Sequence, residues 1–299
     1  MFKMGKGTCS TGSFSIFLSM NFLKFCASSA ALLFLCACEG NDFVLAFNTE
    51  NVPAQTYTLE STLNAILPVD TVSGTPEAMN TRLFVRATNS LLTAYDNGTA
   101  KFEMKIDSVD YKSDKRSVEE FRSMERYMAT EHFQFKMAGD GAMSDPSVED
   151  MALQPGTEEL NLMKLFMKIQ PVLPGGPVKL GEVWERPVEI PTNGHSTTVY
   201  KSFKLEDVYL HDGMQMAKIG MNVKYKEVAD STSDVRMESE GFIVGTGSIL
   251  FNITQGVIVN GSLELSGHLN IHDIVASQIL PNMHVIQKIK LRGEIEQAQ

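Results

Sequence analysis

The chain has 299 residues and a formal net charge of −10, with 36 acidic side chains against 26 lysines and arginines. That balance argues against nucleic acid or an anionic lipid face as a partner, since both need a basic surface opposite them. Four cysteines, at 9, 26, 36 and 38, leave the body of the chain no disulfide framework, so its stability must rest on an apolar core.

The first element in chain order is a short apolar run over residues 25–35, preceded by Lys24. It is well short of the roughly 20 residues a membrane-spanning helix needs, and it has the length of the hydrophobic region of a secretory signal. Leu35-Cys36-Ala37-Cys38 closes it and resembles the bacterial lipoprotein signal, with Leu at −3, a small residue at −1 and Cys at +1. The resemblance implies cleavage before Cys38, with lipid on the Cys38 thiol and on the new amino group. Cys36 at −2 departs from the usual Ser, Ala or Thr. The competing readings are an ordinary secretory peptide cut nearby and a buried helix of a cytosolic protein. Met20 is an alternative start, with residues 1–19 as an upstream extension.

Removal of residues 1–37 takes away Lys3, Lys6 and Lys24 and no acid, leaving 262 residues with a charge of −13. Several acyl chains together hold a protein stably, whereas one binds reversibly. The membrane is thus the expected partner, through Cys38. Glu39 at +2 is not the Asp associated with inner-membrane retention, which points to the outer membrane, on its periplasmic or surface face. Residues 38–55 read as a lipidated tether, and 56–299 as one domain.

Within that domain the dominant signal is period two. Phe102, Met104 and Ile106 alternate with charges, a half-buried antiparallel strand. Asn97-Gly98 before it predicts a two-residue hairpin turn, with a partner strand over 81–95. A helix starts at Ser117, which with Glu120 makes a capping-box pattern ahead of Val118, Phe121, Met124 and Met128. A second helix spans 158–169 and carries Leu160, Met163, Phe166 and Met167 before Pro171 ends it. Further strands are expected over 183–190, 197–208, 214–228, 241–253, 257–271 and 284–295. On 214–228, Ala217, Ile219, Met221, Val223 and Tyr225 face one way and lysines the other. The expected fold is mainly β, an α+β arrangement of about ten antiparallel strands in a curved sheet or half-barrel with two covering helices.

Two segments resemble those of uncharacterised bacterial lipoproteins. Pro177-Val178-Lys179-Leu180-Gly181-Glu182-Val183-Trp184 matches a Pro-Val-Lys-x-Gly-x-x-Trp segment, and Gly245-x-Gly247 through Phe251 with Gly256-Val257-Ile258 matches a glycine-marked hairpin. Such chains are similar to LolA-like lipoprotein carriers, in which strands curl into an open half-barrel closed by helices. The resemblance implies a fold and a location, and no catalytic residue. The same glycines and Trp184 also read as plain turn and core residues.

Catalytic and metal patterns are sparse. Of six histidines, His268 and His272 share a strand face, but four residues span roughly 13 Å, too far for one ion without a bend. His211-Asp212-Gly213 reads as a turn. No Gly-x-Ser-x-Gly elbow or phosphate loop is present, and with Cys38 acylated no thiol nucleophile remains. Asp140, Asp145, Glu149 and Asp150 match no calcium-loop spacing. The expectation is a non-enzyme without metal or cofactor, with a hydrolase as the alternative. The positive feature is apolar: Phe121, Met124 and Met128 on the first helix, Met163, Phe166 and Met167 on the second, and Ile219, Met221 and Val223 on a strand. Methionine adapts to varied apolar ligands, so these residues are candidates to line a groove for a lipid, an acyl chain or an apolar peptide. Core filling explains each methionine equally, and a filled barrel that binds another envelope protein is the alternative.

Overall fold

The computed structural model describes residues 42–66, 78–114, 117–128, 132–144, 162–192, 195–227, 237–273 and 278–295. Cys38 and the signal segment, the start of the second expected helix, the Asn193-Gly194 turn, and Asp145, Glu149 and Asp150 lie outside these residues. The elements are β1 (Phe43–Val44), β2 (Gln55–Ile66), β3 (Ala78–Ala94), β4 (Thr99–Ser113), α1 (Val118–Met128), β5 (His132–Ala138), β6 (Met143–Ser144), α2 (Leu162–Ile169), β7 (Pro177–Val178), β8 (Val183–Thr192), β9 (His195–His211), β10 (Met214–Glu227), β11 (Met237–Asn252), β12 (Val257–Asp273) and β13 (Gln278–Ile295).

Eleven of these strands form one antiparallel sheet in the order β6-β5-β4-β3-β2-β13-β12-β11-β10-β9-β8. It consists of two meanders, β2 to β6 and β8 to β13, joined where β2 pairs with β13 from Gln55↔Ile295 to Ile66↔His284. The sheet is open, with β6 and β8 at its edges. The fold is therefore mostly β, with one more strand in the main sheet than the ten expected and two-stranded pairing of β1 with β7 besides.

The alternation reads out as expected on β4 and β10. Phe102, Met104 and Ile106 are buried, as are Ala217, Ile219, Met221, Val223 and Tyr225, while Lys218, Asn222, Lys224 and Lys226 are exposed. Each apolar side chain taken from water on that face contributes about 1.5–3 kcal/mol. The sequence reading does not place β2, because its inner positions include Gln55 and Ser61, which blur the apolar alternation. The β3–β4 connection differs from the two-residue expectation. Its loop is Asp96-Asn97-Gly98, with Gly98 N donating to the Tyr95 carbonyl at 3.1 Å and only Gly98 in the left-handed region. A two-residue turn of type I′ would need positive φ at both central residues.

The segment expected to be a tether belongs to the fold from residue 42 onward. Leu45, Phe47 and Thr49 are buried, Phe47 meets Phe251 edge-on at 5.2 Å, and β1 pairs with β7. Phe43, Leu45 and Phe47 are themselves a short period-two pattern, which explains why this stretch packs rather than hangs free.

α1 closes an edge. β5 pairs with β4 from Thr99 to Lys105, and α1 lies beside the part of β4 beyond that pairing. Glu125 accepts a hydrogen bond from Tyr111 N at 3.2 Å, and Phe121 meets the Tyr111 ring at 5.4 Å. The capping box forms as read: Ser117 N donates to Glu120 at 2.8 Å and Glu120 N to Ser117 Oγ at 3.3 Å. α2 departs from the expectation of a covering helix. Seven of its eight side chains are buried, Leu162, Leu165, Lys168 and Ile169 among them, so it lies inside rather than over the sheet. A Cβ on Gly261 of β12 would come within 3.2 Å of Ile169 Cδ1; the missing side chain is what lets the helix approach that strand.

Candidate functional site

The two edges of the sheet come together at a cleft of about 230 Å³. Asp140, Gly141, Ala142 and Met143 form one wall, from the β5–β6 turn, and Arg186, Pro187, Val188 and Glu189 of β8 form the other. Met167, Gln170 and Val172 line it from α2 and the segment after it, with Lys201 of β9 beside them.

Residues 170–174 bridge the gap that strand pairing leaves open. On the β6 side, Leu173 N donates to the Asp140 carbonyl at 2.7 Å and Gln170 Nε2 to the Gly141 carbonyl at 3.0 Å. On the β8–β9 side, Trp184 Nε1 donates to the Val172 carbonyl at 2.8 Å and Arg186 to the Pro174 carbonyl at 2.6 Å. Trp184 also stacks on Phe203 at 5.6 Å. Gly141 adopts φ +83°, and a Cβ there would sit 2.4 Å from the Phe47 ring and 2.7 Å from the Pro171 carbonyl oxygen. The turn therefore needs glycine twice over, for its backbone and for its contacts.

Lys201 is the most unusual group here. It is 1 % exposed, and its Nζ donates to the carbonyls of Met167 at 2.6 Å and Gln170 at 2.8 Å. These are C-terminal carbonyls of α2, which no further turn satisfies. Burial pushes the ammonium down from 10.5 to about 7. A neutral amine keeps two N–H donors, enough for both carbonyls. Glu189 is held below the usual carboxylate range by hydrogen bonds from Thr198 at 2.6 Å and Ser196 at 2.7 Å. The charged side chains Lys201, Arg186 and Glu189 thus have protein partners, Asp140 accepts from Ala142 N at 2.9 Å, and among the described residues the cleft lining includes no Ser, His or Cys. Chemically, the arrangement fixes the end of α2 and the bridging segment.

The structure brings most of the groove candidates together. Met163, Phe166 and Met167 of α2 and Ile219, Met221 and Val223 of β10 are buried in one core cluster. Phe121 reaches that core from α1, half buried, through Tyr111. The side chains of Met124 and Met128 lie outside the described residues. A second cavity, lined by Gln55, Tyr57, Asn89 and Phe166 among others, holds about 20 Å³, room for about one water. Lys168, also buried, donates to Gln287 at 3.2 Å and lies 5.5 Å from the centre of the Tyr225 ring, and Gln287 in turn donates to Ser61 at 3.2 Å.

Sequence reasoning missed Lys201, Arg186 and a histidine pair. His268 faces His284 across β12 and β13 with ring centres 4.9 Å apart, and His284 Nε2 lies 3.3 Å from Ser266 Oγ. This group sits on the outer face, away from both cavities, and only strand register brings it together. The side chain of His272 lies outside the described residues. His211-Asp212-Gly213 forms a hairpin turn, with φ 50° at Asp212 and 77° at Gly213. Among the described residues no group of three His, Cys, Asp or Glu side chains is placed to hold a metal ion, and no helix is long and apolar enough to cross a membrane.

No family model matches the sequence. No curated protein matches it either. Among solved structures, the chain is similar to lipovitellin, in a study of its lipid–protein interactions, with a TM-score of 0.46 and 12 % identity. That match covers 84 % of this chain but spans only 26 % of the lipovitellin chain. A structure from work on asymmetric conductivity of engineered proteins matches with a TM-score of 0.24 and 7 % identity, over 80 % of this chain and 100 % of the other.

Proposed function

We propose that this chain is a bacterial envelope lipoprotein, anchored in a membrane through lipid on Cys38, whose LolA-like half-barrel body binds an apolar ligand without catalysis. Two boundaries support the anchor. The lipoprotein signal ends at Cys38, and the compact unit begins at Asn41, so cleavage leaves every described element in place. Glu39 favours the outer membrane as its location.

The observation that carries the ligand reading is one apolar cluster between helix and sheet, in which Met163, Phe166 and Met167 of α2 lie in the same core as Ile219, Met221 and Val223 of β10. On the inner face of β13, Met283, Val285, Ile289 and Leu291 continue that core on either side of the buried polar Gln287, over roughly 27 Å at the usual strand rise. The methionines of that cluster are flexible enough to repack around a lipid, acyl chain or apolar peptide that enters beside α2. Native mass spectrometry of delipidated, detergent-free protein tests this. Uptake of fatty acid is expected, and a clean unliganded mass after exposure to fatty acids would sink the ligand reading.

The close packing around α2 favours a second reading, a filled sheet that binds another envelope protein. The cleft of about 230 Å³ is smaller than the ~300–1,000 Å³ of most small-molecule sites. Crosslinking in intact envelopes separates the two: a defined partner supports the second reading, and recovery of monomer alone counts against it.

A further inference from the structure

We infer that one end of the sheet is the membrane-facing side of the protein and that its exposed apolar side chains enter the lipid interface. The inference rests on the anchor at Cys38. That end is defined by the N-terminal segment, which touches three turns. Phe47 N donates to the Gly139 carbonyl at 2.7 Å, Asn48 N to the Gly256 carbonyl at 3.1 Å, and Thr49 Oγ1 to the Gly98 carbonyl at 3.3 Å.

The reach of the chain decides which end faces lipid. The described residues begin at Asp42, and β1 starts at Phe43, paired with Val178. Three residues, 39–41, separate Cys38 from Asp42, and the four Cα-to-Cα steps between them, fully extended, span at most about 14 Å. A lipid on Cys38 therefore keeps this end close to the headgroups, whatever path those residues take.

Large apolar side chains are exposed at the same end. Val44 is 61 % exposed, Leu180 57 %, Val183 56 % and Leu210 76 %, with Leu92 and Tyr95 on the β3–β4 hairpin. Val44 pairs with Pro177, three residues before Leu180. Gly181 N donates to the Leu205 carbonyl at 2.7 Å and Val183 pairs with Lys204, so the Leu180 turn sits against β9, which runs on to Leu210. Left in water, a rim of this kind is a liability; within reach of a bilayer it is buried, and its burial adds to that of the acyl chains. A lipid surface is the occupant that the short tether brings to it.

Acylation also supplies the experiment. Cleavage removes Cys9, Cys26 and Cys36, and lipid blocks Cys38, so a Cys introduced into the full-length precursor becomes the single free thiol of the mature protein. Leu180→Cys, Leu210→Cys and, on the outer face, Phe242→Cys replace side chains that are already exposed. Each is labelled with nitrobenzoxadiazole, and the acylated protein is placed in phosphatidylcholine vesicles containing nitroxide-labelled lipid. The expected result is a blue shift and lipid quenching at 180 and 210, with iodide quenching alone at 242. Labels at 180 and 210 as open to iodide as the label at 242 overturn the inference while leaving the anchor intact. Two reactive thiols per mature chain show Cys38 unacylated and overturn both.

Discussion

The two helices of this protein are held on opposite terms. α1 is a surface element: a capping box starts it, acidic residues fill its first turn, and it lies along the part of β4 beyond the pairing with β5, with Phe121 half buried. α2 is enclosed: no acid stands in its first turn, seven of eight side chains are buried, and its last carbonyls are satisfied by Lys201 from a neighbouring strand. A surface helix carries its own end chemistry because water competes there. An enclosed one can borrow its cap from the fold, and it must, since unpaired carbonyls in the interior are costly.

The largest test of that contrast is a pair of truncations. Phe166→Ala empties a site packed against Tyr57 at 5.7 Å and should cost about 3–5 kcal/mol in urea unfolding. Phe121→Ala, at a half-buried site, should cost about 1 kcal/mol. Equal losses would break the distinction between enclosed and covering helix.

Next is Lys201→Met. It fills the same space but leaves the carbonyls of Met167 and Gln170 without their donor, for an expected loss of about 1–3 kcal/mol. The lysine also sets a pH dependence. Its folded value, about 7, lies below the ordinary 10.5, so between those values the unfolded chain binds a proton that the folded chain does not. Stability attributable to this group should therefore rise as pH goes from about 7 toward about 10, and the destabilisation is fully present below that window. Urea midpoints of the parent and Lys201→Met at both ends of the window check the sign; a rise that survives in the variant belongs to other groups.

The smallest effect is Ser117→Ala. It removes one half of the α1 capping box and should cost about 1 kcal/mol, with α1 amides exchanging faster in hydrogen-exchange measurements. Exchange within α2 should stay unchanged, because its ends do not depend on that cap.

Much of the sheet was legible from residue order alone. Alternation marked the buried faces of β4 and β10, and Ser117 with Glu120 marked the start of α1, because these signals lie within a few residues of one another. The candidate site was only half legible. Met163, Phe166, Met167, Ile219, Met221 and Val223 read correctly as apolar, yet nothing local showed that they would meet in one core. Lys201 alternates with Val199 and Phe203 on an inward face, and that phase was the available sign that it is buried.

Local periodicity specified strands, their buried faces and the cap of α1, since each follows from the 2.0 or 3.6 repeat of the backbone itself. The join of β2 to β13, the enclosure of α2 and the bridge over the sheet edges arose only in three dimensions. They depend on groups far apart in the chain, such as Gln287 and Ser61, 226 residues apart in sequence. Such pairs meet only after both meanders have formed and the sheet has brought its edges together, and no window of the sequence contains that curvature.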